Sequence, residues 1–142
     1  MTTHDTQLKA GVIGAGVFGG HHARKYAASD RAHLMGVYDP HPQRADELAT
    51  SLNAKAFASA EALIEACEAI TVASPAIAHY DAAKLALDAG RHVLCEKPLA
   101  DTALRGRELI AIANANRAVL QVGHQERFVF RAMGLFDVIE EP

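Results

Sequence analysis

Short apolar segments rich in β-branched residues alternate along the chain with longer segments of helical periodicity. This alternation is typical of parallel strands connected by crossover helices, and it predicts the α/β fold class. The predicted strands lie at residues 8–13, 33–38, 55–58, 69–73, 92–95 and 118–122. The predicted helices lie at residues 17–28, 40–52, 60–65 and 76–89, and a further helix runs to about residue 115 with Asp101 as its N-cap.

Strands in this sequence are expected to form a doubly wound parallel sheet of six strands with the order 3-2-1-4-5-6. In such a sheet the ligand lies in a crevice at the carboxyl ends of strands one and four. The residues that follow the strands at this crevice are Gly14 to Gly19, Asp39, Ser74, Pro75 and the stretch after Cys95.

The segment at residues 124–142 follows the sixth predicted strand and still carries large apolar side chains. They are Phe128, Phe130, Leu135, Phe136, Val138 and Ile139. Because the sheet is already complete, we divide the chain into a domain at residues 1–123 and a connecting segment at residues 124–142. The apolar side chains of this segment require a partner surface outside the sheet.

Composition narrows the functional classes. The 142 residues, 50% of them apolar, suffice for one domain core, and a net charge of −3 gives no reason to expect a nucleic acid or an anionic membrane as partner. Cys67 and Cys95 are isolated, and the polar N-terminus lacks a signal core, so we expect a cytoplasmic protein. The histidines form neither an HExxH motif nor an i,i+4 pair, so no metal site is expected.

A glycine motif follows the first predicted strand. Gly14-Ala15-Gly16-Val17-Phe18-Gly19 fits GxGxxG and opens the first predicted helix. Gly14 permits the tight turn, Gly16 lets a pyrophosphate approach the backbone, and Gly19 lets the helix pack closely on the sheet. The helix N-terminus, at Val17 and Phe18, would direct its N–H groups and dipole at the anion. This context predicts a dinucleotide-binding Rossmann domain.

Asp39 gives a second match, because it lies 20 residues after Gly19 at the end of the second predicted strand. A carboxylate there accepts hydrogen bonds from the adenosine ribose hydroxyls and repels a 2′-phosphate, which favours NAD over NADP. Arg44 would soften that preference, so NADP stays an alternative. A purely structural alternative is that the glycines form only a tight turn and Asp39 caps the next helix.

Further motifs follow in a fixed order. His22 follows the glycine turn, Ser74-Pro75 precedes His79, and Glu96-Lys97-Pro98 follows the fifth strand. Gly123, Arg127 and Phe128 fit Gly-x-x-x-Arg-Phe. With these motifs essentially the whole chain resembles the Gfo/Idh/MocA oxidoreductases, the glucose-fructose oxidoreductase and inositol dehydrogenase family, whose hallmark is Glu-Lys-Pro.

The resemblance implies a role for each matching residue. Lys97 would be the catalytic residue beside the nicotinamide ring and the hydroxyl that is oxidised, where an ammonium stabilises a developing alkoxide. Glu96 would position this lysine or a ribose hydroxyl. Ser74 and Pro75 would line the pyrophosphate and nicotinamide side, and His79 would reach the same area. The alternatives are an exposed loop lysine and a histidine with a purely structural hydrogen bond.

The chain also departs from the family pattern. Val129-Phe130 stands where members commonly have Asn-Pro after Arg-Phe. Full-length members are more than twice as long and build the substrate pocket, usually with a catalytic Asp and His, on a second α/β domain. We therefore expect this substrate domain to be absent from the chain. The family usually forms oligomers through that domain, so an oligomer is expected for the parent protein only.

The resemblance implies an NAD(P)-dependent dehydrogenase that acts on a secondary alcohol of a sugar, cyclitol or nucleotide-sugar. The chain alone is expected to bind nucleotide without turnover, because positioning the alcohol requires groups outside it. A stand-alone NAD-sensing module and a methyltransferase are alternatives. A Tyr80-x-x-x-Lys84 pair matches that of short-chain dehydrogenases, but its place in the chain favours an ordinary surface pair.

Overall fold

A computed structural model of the chain describes residues 7–135. Its β-strands run in the order of the chain: β1 Leu8–Ile13, β2 Ala32–Tyr38, β3 Lys55–Ala56, β4 Ala69–Val72, β5 His92–Cys95 and β6 Leu120–Val122. Its α-helices are α1 Val17–Ala27, α2 Pro42–Ser51, α3 Ala60–Ala66, α4 His79–Asp88, α5 Ala103–Ala115 and α6 Gln125–Ala132. The predicted α/β class is confirmed.

The strands form one six-stranded sheet with the order β3-β2-β1-β4-β5-β6. Every pair of neighbouring strands is parallel, which confirms the predicted doubly wound topology. The central strand β1 pairs with β2 on one side and with β4 on the other. The strand order therefore reverses at β1, where such sheets open a ligand crevice at the carboxyl edge.

Helices cover the sheet on both faces, because successive side chains of a parallel strand point to opposite sides and both sides are apolar. On one face Val12 packs with Ala23 of α1 and Leu48 of α2. On the other face Ile13 packs with residues of α3, α4 and α5, among them Leu63, Leu87 and Leu109, all of which are fully buried. The helices α1 and α4 consequently approach the carboxyl edge from opposite faces.

Most predicted boundaries agree with the structure to within one or two residues, which is the ordinary uncertainty of element ends. The prediction that Asp101 caps α5 is wrong. Thr102 is the N-cap, with an extended backbone and a side-chain oxygen that accepts a hydrogen bond from the Arg105 N–H at 3.2 Å. Asp101 instead accepts a hydrogen bond from the Arg105 guanidinium at 2.8 Å.

Two other segments differ from the prediction. Ala76–Ala78 form a 3₁₀ turn, and α4 begins only at His79, so the predicted continuous helix from Ala76 is wrong in its first turn. Pro75 begins this turn and its carbonyl accepts a hydrogen bond from the Ala78 N–H. The helix α6 was not predicted, because we read residues 124–142 as a connection without an element.

The helix α6 and its C-cap residue expose large apolar side chains, with Phe128 69% and Met133 65% accessible. This agrees with the predicted surplus of apolar residues beyond the sheet. Phe136, Val138 and Ile139 belong to the same prediction and lie outside the described residues. Among residues 7–135, no helix has the length and apolar character needed to cross a bilayer.

Candidate functional site

The predicted site residues meet at the carboxyl edge of the sheet because the strands are in register there. Ile13, the last residue of β1, lies beside Tyr38 of β2 and Val72 of β4, and Val72 lies beside Cys95 of β5. Each of these strands is followed at once by a segment singled out in the sequence. The edge contains two groups, described in turn.

The first group consists of Gly14 to Gly19 and Asp39, and we call it the glycine-turn end. Gly14 has a φ of +102°, a conformation that favours glycine, and a Cβ there would lie 2.6 Å from the Ala73 carbonyl oxygen. A Cβ on Gly19 would overlap the Gly14 carbonyl. These two glycines therefore let β1, β4 and α1 pack at close range.

Gly16 differs from its neighbours, because a Cβ there would meet nothing within 4 Å among the described residues. It is the N-cap of α1 and contributes no side-chain bond to the first turn, which also contains no acidic residue. The first N–H groups of a helix have no partner inside it, and they attract anions. The glycine-turn end thus has the open approach and the donors that a pyrophosphate requires.

Asp39 is 8% exposed and supports the glycine turn directly. Its Oδ2 accepts a hydrogen bond from the Ala15 N–H at 2.9 Å, and its Oδ1 accepts one from the His41 N–H at 2.8 Å. A carboxylate has about four lone-pair sites, so these two bonds leave acceptor capacity for a ribose hydroxyl. Asp39 therefore stabilises the glycine turn, and it does not cap α2, whose N-cap is His41.

A cleft of about 400 Å³ extends from the glycine turn between α1 and α2. Its lining includes Gly16, Arg24, Arg44 and Glu47. Arg44 therefore lies near the glycine-turn end, as the sequence suggested, and it is joined by a second arginine. Two exposed guanidinium groups and the Glu47 carboxylate therefore line the cleft beside the glycine turn.

The second group consists of Ser74, His79, Glu96 and Lys97, and we call it the lysine end. Together with Phe18 and two alanines they line a cavity of about 120 Å³ between the ends of β4 and β5. Ser74 Oγ is buried and has no hydrogen-bond partner among the described residues. An unpartnered buried hydroxyl is costly, and its place beside a cavity leaves it available to bond to a group that enters there.

Glu96 is 8% exposed, and its carboxylate contacts α1. Its Oε1 lies 2.7 Å from His22 Nε2, and the Nε2–H form of the ring donates this hydrogen bond. The Glu96 carboxyl also lies against Gly123, where a Cβ would come within 3.1 Å of it. Sequence reasoning expected Glu96 to position Lys97 or a ribose hydroxyl, and it missed His22 as the partner.

His79 is 2% exposed and is the first residue of α4. Its Nδ1 lies 2.7 Å from the Pro98 carbonyl oxygen, and its Nε2 lies 2.8 Å from the Ser74 carbonyl oxygen. Either tautomer of the ring therefore donates to one of the two loops, and the doubly protonated ring donates to both. The structure places His79 in the predicted area, with both ring nitrogens directed at the backbone.

Lys97 is the exposed member of the lysine end. Its Nζ lies 3.6 Å from Glu126 Oε1 of α6, and about half of each side chain is accessible. A backbone hydrogen bond, and after it the Lys97 ammonium, lower the pKa of Glu126 from its ordinary value. A contact of this length between exposed groups is weak, so Lys97 is free to turn toward a ligand.

The Tyr80 and Lys84 pair lacks the geometry of short-chain dehydrogenase chemistry. Lys84 Nζ bonds to Asp88 at 2.8 Å, and a side-chain hydrogen bond with Glu108 raises the pKa of Tyr80 instead of lowering it. The pair is therefore an ordinary part of the α4 surface. Among the described residues, no three His, Cys, Asp or Glu side chains form a group that could hold a metal ion.

The six-stranded parallel sheet, the glycine turn at α1 and the carboxylate after β2 define a dinucleotide-binding Rossmann domain of the NAD-binding class. Residues 8–124 match the family described as "Oxidoreductase family, NAD-binding Rossmann fold". The chain belongs to this family, the Gfo/Idh/MocA oxidoreductases.

Several named proteins are similar to the chain. UDP-N-acetylglucosamine 3-dehydrogenase of Acidithiobacillus ferrooxidans is 38% identical over 84% of the chain and 38% of its own length. Its solved structure superimposes with a TM-score of 0.82 over 85% of the chain and 40% of that structure. Inositol 2-dehydrogenase of Acidothermus cellulolyticus is 35% identical over 92% of the chain and 40% of its own length.

A biliverdin reductase of Synechocystis, solved with biliverdin and NADP⁺, is 26% identical with a TM-score of 0.83. The match covers 90% of the chain and 42% of that structure. The chain therefore spans about two fifths of the length of these relatives. The proteins similar to the chain thus include dehydrogenases named for a nucleotide-sugar and for inositol, and a reductase whose structure was solved with NADP⁺.

Proposed function

We propose that the chain is the cofactor-binding part of a dehydrogenase that transfers hydride between a nicotinamide cofactor and a secondary alcohol of a sugar, cyclitol or nucleotide-sugar. The observation that carries this proposal is the placement of Lys97 and an unpartnered Ser74 hydroxyl around one cavity beside the glycine turn. The relatives named for UDP-N-acetylglucosamine and inositol support the substrate class.

The residues of the glycine-turn end hold the cofactor in this proposal. The α1 N-terminus at Gly16 receives the pyrophosphate, and Asp39 accepts a hydrogen bond from the adenosine ribose. Asp39 favours NAD, and the arginines Arg24 and Arg44 at the adjoining cleft make NADP a weaker alternative ligand. When bound, the nicotinamide ring supplies the hydride chemistry, which no side chain of the protein can provide.

The residues of the lysine end act on the reacting groups. Lys97 places its ammonium beside the alcohol oxygen, where a positive charge stabilises negative charge that develops as the C–H bond breaks. Glu96 has its carboxylate bonded to His22, so it acts on Lys97 through the backbone rather than through an ion pair. Ser74 offers its hydroxyl to the nicotinamide part of the cofactor.

The described residues form one wall of the reaction site, and an alcohol needs to be positioned from the other side as well. We therefore propose that the 142 residues bind the cofactor without turning over substrate. The exposed apolar side chains of α6, such as Phe128 and Met133, support the assignment of residues 124–142 as a connection to a substrate-binding domain. An oligomer of the parent protein would then assemble through that domain.

Calorimetric titration of the chain with NAD and NADP tests the proposal. We expect saturable binding of NAD that is tighter than binding of NADP, because the Asp39 carboxylate repels a 2′-phosphate. Gly16→Ala should abolish binding by blocking the pyrophosphate. Asp101→Ala, which removes an exposed carboxylate paired with Arg105, should leave binding unchanged. Folded protein that binds neither dinucleotide would contradict the proposed cofactor binding. Formation of NADH with any member of a panel of sugars and cyclitols would contradict the proposal that the chain alone does not turn over substrate.

A further inference from the structure

We propose that His22 and His79 form a two-sided brace that fixes the backbone on either side of Lys97, so that both histidines are positioning residues for the proposed hydride-transfer site. The inference rests on the proposed function for the role of Lys97. Its structural part, the fixed backbone, stands on the contacts of the chain itself.

The two histidines hold the residues immediately before and after Lys97. His22 Nε2 contacts the Glu96 carboxylate at 2.7 Å, and His79 Nδ1 contacts the Pro98 carbonyl at 2.7 Å. Lys97 lies between these anchored residues and is itself exposed. An exposed lysine with a flexible side chain gains a defined starting position only from its backbone. His79 contacts the main chain after Lys97 directly, whereas His22 acts through the Glu96 side chain, and the Glu96 N–H also donates to the Val72 carbonyl at 2.9 Å.

The two anchors come from opposite faces of the sheet. His22 belongs to α1, which packs with α2 on one face, and His79 belongs to α4, which packs with α3 and α5 on the other. A backbone segment held from one face can still rotate about that contact, whereas contacts from two faces remove this freedom. The His22–Glu96 contact, between residues 74 positions apart, and the His79–Pro98 contact, between residues 19 positions apart, thus restrain the loop after β5.

The brace also connects the lysine end to the rest of the site. α1 begins at the glycine turn, so the His22 contact fixes the distance between the α1 N-terminus and Glu96. His79 additionally contacts the Ser74 carbonyl at 2.8 Å, which fixes the loop after β4 against the loop after β5. The His79 contacts are shielded, since His79 is 2% exposed, and the His22 contact is partly buried, with the His22 and Glu96 side chains 24% and 11% accessible.

The first test measures the backbone directly and needs no ligand. Nitrogen-15 relaxation of the Lys97 amide gives its order parameter, which is about 0.85 for rigid backbone and below about 0.6 for flexible backbone. We expect a rigid value in the wild type, a drop in His22→Leu and in His79→Leu, and a flexible value in the double variant. Leu63 amide values in the core should stay rigid throughout and report that the fold is retained.

Conservative variants separate the individual bonds. An asparagine amide takes the place of the histidine Nδ1, so His79→Asn keeps the bond to the Pro98 carbonyl. A glutamine amide takes the place of Nε2, so His79→Gln keeps only the bond to the Ser74 carbonyl. His79→Asn should therefore preserve the Lys97 order parameter, and His79→Gln should lower it. His22→Gln, which keeps the Glu96 bond, should behave as the wild type. These milder variants retain the test if a leucine variant fails to fold.

The matched control is His92→Leu. His92 also bonds to the main chain, accepting from the Val119 N–H at 3.0 Å through its Nδ1, but it lies at the opposite end of β5. Its loss should leave the Lys97 order parameter unchanged. An equal drop in this control would show that any lost histidine contact loosens the sheet, and it would overturn the brace.

The second test measures the ligand site by comparing NAD with ADP-ribose, which lacks the nicotinamide ring. Loss of one hydrogen bond of ordinary strength changes an affinity by about fivefold. We expect His79→Leu to weaken NAD binding by about that factor and to leave ADP-ribose binding unchanged. Equal weakening of both ligands, or an unchanged Lys97 order parameter in both leucine variants, would overturn the inference. A wild-type chain that binds neither ligand would instead overturn the proposed function, and the relaxation test would still decide the brace.

Discussion

The two ends of the carboxyl edge are built in different ways. At the glycine-turn end, Gly14, Gly19 and Asp39 form their contacts with backbone groups, so the arrangement depends on main-chain segments that pack at close range. At the lysine end, Glu96 and the Pro98 carbonyl are held by side chains from two different helices. At one end the main chain forms the contacts, and at the other end side chains form them.

The difference indicates a division of labour. A pyrophosphate is recognised by backbone N–H groups, which a short motif provides wherever it folds. A reacting hydroxyl needs a side chain at a defined position, and that position depends on the packing of both helix layers. We therefore expect mutations at the glycine-turn end to affect the fold and cofactor binding strongly, and mutations at the lysine end to affect local order and ligand geometry.

The largest effect is expected for Gly19→Ala. The new Cβ overlaps the Gly14 carbonyl, so β1 and α1 have to separate, and we expect the free energy of unfolding to fall by at least about 3 kcal/mol. Gly16→Ala is the matched control, with open space around its Cβ, and should change stability by no more than about 1 kcal/mol. Urea denaturation measures both, and equal losses would remove the distinction between packing glycine and ligand glycine.

Asp39→Ala should have the next largest effect. The variant leaves the Ala15 and His41 N–H groups without their acceptor, and a hydrogen bond to a charged group contributes about 1.5–3 kcal/mol. We expect a loss of about 2–3 kcal/mol in urea denaturation together with weaker NAD binding. Asp101→Ala, whose carboxylate is half exposed, is the control and should cost no more than about 0.5 kcal/mol. Unchanged stability of Asp39→Ala would mean that the carboxylate serves the ligand alone.

Titration of the Cys95 thiol tests whether the end of β5, next to Lys97, is as well shielded from solvent as the rest of the sheet. Burial raises the pKa of the Cys95 thiol from 9.0 to about 12, so the unfolded chain releases this proton first as the pH rises. This difference in pKa contributes fully to the free energy of unfolding below pH 9, and the contribution is lost toward pH 12. Between pH 8 and pH 10 the free energy of unfolding should fall by about 1.4 kcal/mol for this reason. Urea denaturation at both pH values measures the loss, and Cys95→Ala should remove it.

Cys67 at the opposite end of the sheet provides the comparison for Cys95. Burial likewise raises its pKa to about 11, so Cys67→Ala should reduce the alkaline loss by a similar amount. An alkaline contribution from Cys67 without one from Cys95 would show that the lysine end opens locally before the molecule unfolds. Equal contributions would show that the strand end behind Lys97 is as closed as the strand end near Cys67.

The smallest effect is expected for Glu126→Gln. The variant removes the contact between Glu126 and Lys97, in which both side chains are half exposed and 3.6 Å apart. Such pairs are screened by solvent, so we expect no measurable change in denaturation midpoint or in NAD affinity. A clear loss of either would mean that α6 belongs to the lysine end, and the comparison would then have to include it.

The fold could be predicted because its signals are local and repeated. Alternating strand and helix periods set the strand order, since parallel crossovers allow few alternatives. The cap of α5 was missed because Asp101 and Thr102 are adjacent and both can cap a helix, and only the Thr102 oxygen is placed to reach the Arg105 N–H. The helix α6 was missed because we interpreted the residues after β6 as a connection, and an exposed side chain such as Phe128 marks no buried face in the sequence.

The site could be predicted in part for the same reason. The glycine turn and Asp39 follow a spacing rule, and Glu96-Lys97-Pro98 is a contiguous motif. The contact of His22 with Glu96 joins residues 74 positions apart, and no pattern along the chain reports such a distance. The sequence could identify His22 as part of a motif, but only the packing of α1 against the sheet shows what it contacts.

The central claim is that the two ends of the carboxyl edge bind different parts of one dinucleotide. Amide chemical-shift mapping of the labelled chain with NAD and with ADP-ribose tests it most directly. ADP-ribose should shift the amides of Gly14 to Gly20 and Asp39, and NAD should shift these and also Ser74 and Lys97. Identical shift patterns for the two ligands, or shifts concentrated at the amino ends of the strands, would contradict the claim.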